Sequence, residues 1–126
     1  MLWDCMAVGA GGFIGSVLRY AVSLMPFFSR HELPLQTLIV NVAGAFIIGF
    51  IAGSMGNGGK LDGRTVLFLR TGFCGGFTTF STFSLESLGL IESGRTGLFI
   101  VYTLMSLIMC IAGVFAGRAA AGAMNA

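Results

Sequence analysis

The chain has 126 residues and a mass of 13.2 kDa; 56% of its residues are hydrophobic, 10% are charged, and the net charge is +2 with a mean hydropathy of +0.92. Soluble domains carry about 25% charged residues, so a water-facing surface cannot be built from this composition, and disorder is excluded because it needs a polar, charged chain. A charge this small gives no reason to expect nucleic acid as a partner. The composition is that of a membrane protein.

A bilayer core about 30 Å thick takes about 20 apolar residues per helical span. Four spans therefore use most of the chain and leave only short connections, which predicts one transmembrane domain over 1–126. The apolar runs are continuous and do not alternate, so helices are expected and not barrel strands. Asp4 is the first charge and no cationic segment precedes it, so no cleavable signal is expected. Cys5, Cys74 and Cys110 are odd in number and lie in apolar stretches. They are read as inert buried thiols, with no C-x-x-C or Cys/His cluster to hold a metal.

The first span is expected near 3–26, ending before the loop of Arg30, His31, Glu32 and Pro34. The uncharged run from 33 to 59 gives a second span near 34–55, closed by turn chemistry at Gly56-Asn57-Gly58-Gly59-Lys60. A third span is expected over 63–91 and a tight turn at Glu92-Ser93-Gly94-Arg95. The fourth span follows over 96–118, with a tail of small residues that should fray. Gly11/Gly15, Gly49/Gly53, Gly72/Gly76 and Gly113/Gly117 place one G-x-x-x-G pair on each span. Such pairs let helix backbones approach closely in lipid. The glycines near Gly11 are not a nucleotide fingerprint, because they sit inside a span with no strand before them.

Four spans put the N-terminus, second loop and C-terminus on one side. Lys60, Arg64, Arg70 and Arg118 belong to that side, and Arg19, Arg30 and Arg95 to the other. Orientation needs an excess of positive charge on one side. Four against three is almost none, which predicts insertion both ways and an antiparallel homodimer.

Polar groups inside the membrane are the place to look for function. Asn41 lies within span two and needs a partner or a wet cavity. Span three carries Gly72-Phe73-Cys74-Gly75-Gly76-Phe77-Thr78-Thr79-Phe80-Ser81-Thr82-Phe83-Ser84. Its three glycines and paired threonines predict a break near Gly75–Thr79, tolerated at that depth only in protein or beside a cavity. Carbonyls freed there suit a cation. Phe77, Phe80 and Phe83 recur every three residues and are expected on one helix side, interleaved with hydroxyls. Glu86 is the only acid well inside span three, and span four has none. Hydroxyls, an amide and ring edges suit a small anion that must leave as readily as it enters. The residues do not by themselves name the ion.

These motifs resemble the small bacterial fluoride channels of the Fluc or CrcB family. The likeness runs through Gly11-Gly12-x-x-Gly15-x-x-x-Arg19-Tyr20, Asn41-x-x-Gly44-x-Phe46-x-x-Gly49 and Gly72-x-x-Gly75-Gly76-Phe77-Thr78-Thr79-Phe80-Ser81-Thr82-Phe83; the third motif is the specific one. The resemblance implies a dual-topology antiparallel dimer with two pores in the bacterial plasma membrane, exporting fluoride passively. It implies that Phe80 and Phe83 line the pores with Asn41 beside them, and that Ser81 and Thr82 belong to a polar track. Tyr102 and Ser106 match pore-side positions. Carbonyls of Gly75 and Thr78 would hold a structural sodium ion at the dimer centre, and Arg19 would serve a vestibule or anchoring role. Cys110 stands where a hydroxyl of the track is expected. The competing reading is a coupled exporter of small molecules with the same four-helix, dual-topology design. Span one gives it little support, having no carboxylate beyond Asp4. A third is a membrane assembly subunit that transports nothing.

Overall fold

The computed structural model describes residues 1–56 and 61–124; the turn expected at 57–60 and the last two residues lie outside the described residues. The regular structure is all helix, with no strand among the described residues. Helix α1 spans Leu2–Ser23 and is followed by a short 3₁₀ turn, Pro26–Arg30. Helix α2 spans Leu35–Gly56. A helical run α3 (63–77) comprises Gly63–Val66, a π-helical stretch Leu67–Cys74 and a last turn Gly75–Phe77. Helix α4 spans Phe80–Glu92 and α5 spans Thr96–Met124.

Three helices are long and apolar enough to cross a bilayer, namely Leu2–Ser23, Leu35–Met55 and Thr96–Met124. The remaining crossing, expected over 63–91, is divided between α3 and α4. Helix α4 has 13 residues, about 20 Å at 1.5 Å per residue, and falls short of the ~30 Å core. It needs α3 in line with it.

Glycine sets the packing. Cβ atoms placed on Gly11 or Gly15 of α1 would run into backbone oxygens of Phe68 and Phe73, while one on Gly72 would lie 2.6 Å from Val8 O and one on Gly76 2.5 Å from Gly12 O. The second seam joins α2 and α5. A Cβ on Gly117 would meet Phe46 O, one on Gly49 would meet Val114 O, and one on Gly53 would lie 2.9 Å from the Ala121 methyl. All four G-x-x-x-G pairs are therefore used within one chain, α1 on α3 and α2 on α5. Gly72 and Gly76 stay helical, so the break does not fall on the glycines as expected. It is confined to Thr78 and Thr79, whose φ/ψ of −88°/159° and −151°/122° are extended.

Elsewhere the boundaries shift for local reasons. The α5 helix runs to Met124 instead of fraying after 118, because Ala119, Ala120 and Ala121 are strong helix formers and Ala121 is buried against Gly53. The turn at Glu92–Arg95 closes α4 with Gly94 at φ +80°. Its Gly94 N–H donates to Ile91 O (3.1 Å) and Arg95 N–H to Leu90 O (2.8 Å), the glycine-dependent way of satisfying a helix end. Helix α3 starts on Asp62, whose carboxylate accepts the Thr65 N–H at 2.8 Å. The hydroxyl and N–H of Thr65 hold that carboxyl below its usual range. The cap is therefore present at neutral pH and lost only in acid, as pH falls through the lowered value. Two surface ion pairs close the ends of the bundle, Arg64–Asp4 at 3.2 Å on one and Arg95–Glu32 at 3.4 Å on the other. They place the N-terminus beside the start of α3, as the expected span order requires.

The thiols differ from expectation. Only Cys74 is buried; Cys5 is exposed and Cys110 is half-buried.

Candidate functional site

The break at Thr78–Thr79 releases backbone groups, and specific side chains take them up. Asn41 of α2 grips Thr79 twice: its Oδ1 accepts the Thr79 N–H at 2.7 Å and its Nδ2 donates to Thr79 O at 3.0 Å. An unpaired buried backbone group costs about 1–3 kcal/mol, so this amide stabilises the extended dipeptide directly. Thr79 Oγ1 caps α4 by accepting the Thr82 N–H at 3.1 Å. Arg19 Nε donates to Gly76 O at 2.9 Å, and Thr78 Oγ1 to Cys74 O at 2.7 Å. Gly44 clears the space for the Thr78 methyl, which a Cβ there would overlap.

Two of these bonds decide which carbonyls are left over. In a continuous helix the Thr79 N–H would return to Gly75 and the Thr82 N–H to Thr78. Both amides are turned elsewhere, so the oxygens of Gly75 and Thr78 lose their helical donors. They are hard oxygen ligands, the donor type a sodium ion takes. Among the described residues no cluster of three His, Cys, Asp or Glu side chains offers an alternative metal site. Gly75 is exposed, and a Cβ on it would meet nothing within 4 Å.

Beside the break lies a groove of about 780 Å³. Asn41, Gly75, Thr78, Phe80, Phe83 and Ser106 line it, together with Thr79, Thr103, Cys110 and Arg70. Phe80 is 79% exposed. Its ring lies 5.6 Å from that of Phe83, which in turn lies 5.1 Å from Tyr102. The hydroxyls of Thr103 and Ser106 are buried and have no hydrogen-bond partner among the described residues. Such groups normally find one.

The predicted site residues do not all meet in that groove. Arg19 and Thr82 line a second cavity of about 220 Å³ with Tyr20, Ser23, Gln36 and Thr37. Thr79 borders both cavities and so stands between them. Ser81 is exposed, 3.4 Å from Thr79 Oγ1. Tyr102 is only 1% exposed and backs Phe83 without lining either cavity. The phenylalanine stripe is not continuous either. Phe77 stacks on Phe73 at 5.6 Å, because the extended threonines put it on a different segment from Phe80.

Sequence reasoning missed two residues. Thr79 enters the sequence reading only as one end of the expected break, yet its N–H, carbonyl and hydroxyl make the bonds that hold the break and start α4. Glu86 was left without a role, but it accepts from Thr37 Oγ1 at 3.1 Å and from the Tyr102 hydroxyl at 3.0 Å. It holds in place the ring that supports Phe83. Its position one turn beyond Phe83 was the available signal.

Comparison with known proteins agrees with this geometry. The family model described as CrcB-like protein, Camphor Resistance (CrcB), matches residues 6–118. A protein of Azobacteroides pseudotrichonymphae named fluoride-specific ion channel FluC is 43% identical over 118 residues, covering 93% of this chain and 94% of its own. Relatives of the same name from Elusimicrobium minutum and Methanococcus maripaludis are 45% and 44% identical, over 96% and 93% of this chain and 95% and 94% of theirs. With its break held by Asn41, its glycine-tight helix pairs and a match over nearly its full length, this chain belongs to the CrcB family.

Proposed function

We propose that the chain is a fluoride-selective channel, not an enzyme, that lets fluoride leave the cytoplasm passively. The observation that carries the reading is the groove's polar lining: hydroxyls, one amide and the Arg70 guanidinium beside two phenyl rings, with no carboxylate among them. The name of the relatives, fluoride-specific ion channel FluC, supports the choice of ion. Hydrogen fluoride enters as a neutral acid and ionises inside, so an anion leak driven by the membrane potential lowers the internal concentration. A coupled exporter needs a titratable group facing its substrate. Glu86 faces Thr37 and Tyr102 instead, which disfavours that reading. Fluoride flux from purified protein in liposomes tests the proposal.

The working unit is an antiparallel homodimer, multi-pass in the bacterial plasma membrane. The near balance of seven basic residues supports dual insertion, and the open groove with its unpartnered Thr103 and Ser106 hydroxyls supports a second copy. Leu61→Cys in an otherwise cysteine-free chain is expected to label with a membrane-impermeant reagent from both faces of the membrane. Labelling from one face alone contradicts dual insertion.

A sodium ion held by the Gly75 and Thr78 carbonyls at the dimer centre fits the two oxygens that the break releases. It would fix the two breaks relative to each other and supply no chemistry. Reconstitution with a large organic cation in place of sodium is expected to depress fluoride flux at least several-fold, with recovery when sodium returns. Flux indifferent to the cation throughout assembly removes the ion from the account.

A further inference from the structure

Arg70 and Cys74 of α3 and Thr78 just beyond it follow one another every four residues, and all three line the groove. Arg70 therefore stands on the same side of the helical run as the break, within the wide π-helical turns of Leu67–Cys74. It precedes Thr78 by eight residues. It is exposed, and among the described residues its guanidinium makes no hydrogen bond or ion pair, whereas Arg19, Arg64 and Arg95 each have a partner.

The groove supplies this arginine with no counter-charge, since no Asp or Glu among the described residues lines it. A second copy docked by two-fold symmetry brings the same residues to the interface and so adds no carboxylate from this surface. Asp62, the acid nearest to Arg70 along the chain, caps the start of α3 through Thr65, and Glu86 is bonded to Thr37 and Tyr102. A single positive charge in a concave, low-dielectric wall raises the local concentration of anions. Its five N–H donors and fixed positive charge suit an anion.

We infer that Arg70 recruits the permeating anion, holding it loosely at the α3 end of the groove before the hydroxyl and ring donors between Thr78 and Phe83 receive it. The inference rests on the channel reading and adds a residue to it. The same guanidinium chemistry also suits a lipid phosphate, so the test separates the two sources.

Fluoride flux is measured for wild type, Arg70→Gln and Arg70→Lys in liposomes of zwitterionic lipid and of mixed zwitterionic and anionic lipid. Each is read at low ionic strength and near 1 M of an impermeant salt, where the screening length falls from about 30 Å to about 3 Å. Arg70→Gln is expected to lose about tenfold or more of the flux at low salt, within the range that electrostatic recruitment gives. The gap should narrow at high salt, Arg70→Lys should retain most of the flux, and both lipids should give the same result. Equal low-salt flux in wild type and Arg70→Gln overturns the inference. A loss seen only with anionic lipid overturns it too and assigns Arg70 to a headgroup. If Arg70→Gln does not assemble, the wild type decides, because flux unchanged between the two ionic strengths excludes recruitment. A wild type that passes no fluoride refutes the channel reading itself, whereas a conducting wild type beside an unaffected Arg70→Gln refutes only the role of Arg70.

Discussion

Valine at Gly117 is expected to leave no folded protein to purify. A Cβ on Gly117 would overlap Phe46 O and lie 2.8 Å from Phe50 N and 2.9 Å from Phe46 C. All three are backbone atoms of α2, so no side chain can rotate away and the helix itself must move. Overpacking that side chains can absorb costs about 1–3 kcal/mol. Here the α2–α5 seam must open along its length, and Gly49, Gly53 and Gly113 lose their contacts with it. Lipid offers no hydrophobic force to close it again. A total stability of about 5–15 kcal/mol leaves little margin for such a loss. Gly122 lies on the same helix with nothing within 4 Å of its added Cβ, so Gly122→Ala should elute from a sizing column as the native protein does. Native elution of Gly117→Val would mean that the two helices do not meet as described. Gly75 makes a useful contrast: it has no close neighbour within the chain, so damage from Gly75→Val reports on the second copy.

Phe80→Ile and Phe83→Ile are each expected to reduce fluoride flux at least tenfold, about 1.4 kcal/mol on the barrier, in protein that still assembles. Isoleucine keeps apolar bulk and removes the ring's positive edge, so it separates electrostatics from packing. The two positions differ in what else they lose. Phe80 is 79% exposed, so its replacement should leave the stability of the single chain nearly unchanged. Phe83 also packs against Tyr102 at 5.1 Å and should lose about 0.5–1.5 kcal/mol of ring contact as well. Phe73→Ile gives up a comparable ring contact, with Phe77, but lies outside the groove and should leave flux intact. Full flux in both groove variants would return these rings to ordinary packing.

Much of the architecture was legible because membrane solvent imposes few solutions. Long apolar runs with few charges, separated by the charged turns at Arg30–Glu32, Lys60–Arg64 and Glu92–Arg95, located the crossings, and the G-x-x-x-G pairs marked both helix seams, although not which span pairs with which. The threonine pair marked the broken crossing. What composition could not show was which residues break the helix. Gly72, Gly75 and Gly76 looked like the weak points, yet Gly72 and Gly76 are fixed in helical form by their backbone contacts with α1. Thr78 and Thr79 become extended because Asn41, far away in sequence, supplies a donor and an acceptor to Thr79. Spacing also failed across the break, where a three-residue period no longer defines one side. That is why Phe77 parts from Phe80. Glu86 remained unassigned for a related reason, since Thr37 and Tyr102, which hold it, come from α2 and α5.

The most direct measurement is fluoride efflux from liposomes containing the purified chain, followed with a fluoride electrode after the membrane potential is clamped. Rapid efflux of fluoride that needs no proton gradient and no second substrate, with chloride retained, is the result expected from a groove of ring edges and hydroxyls. Fluoride retained by protein that is folded and inserted, or released only with a coupled ion, would contradict it.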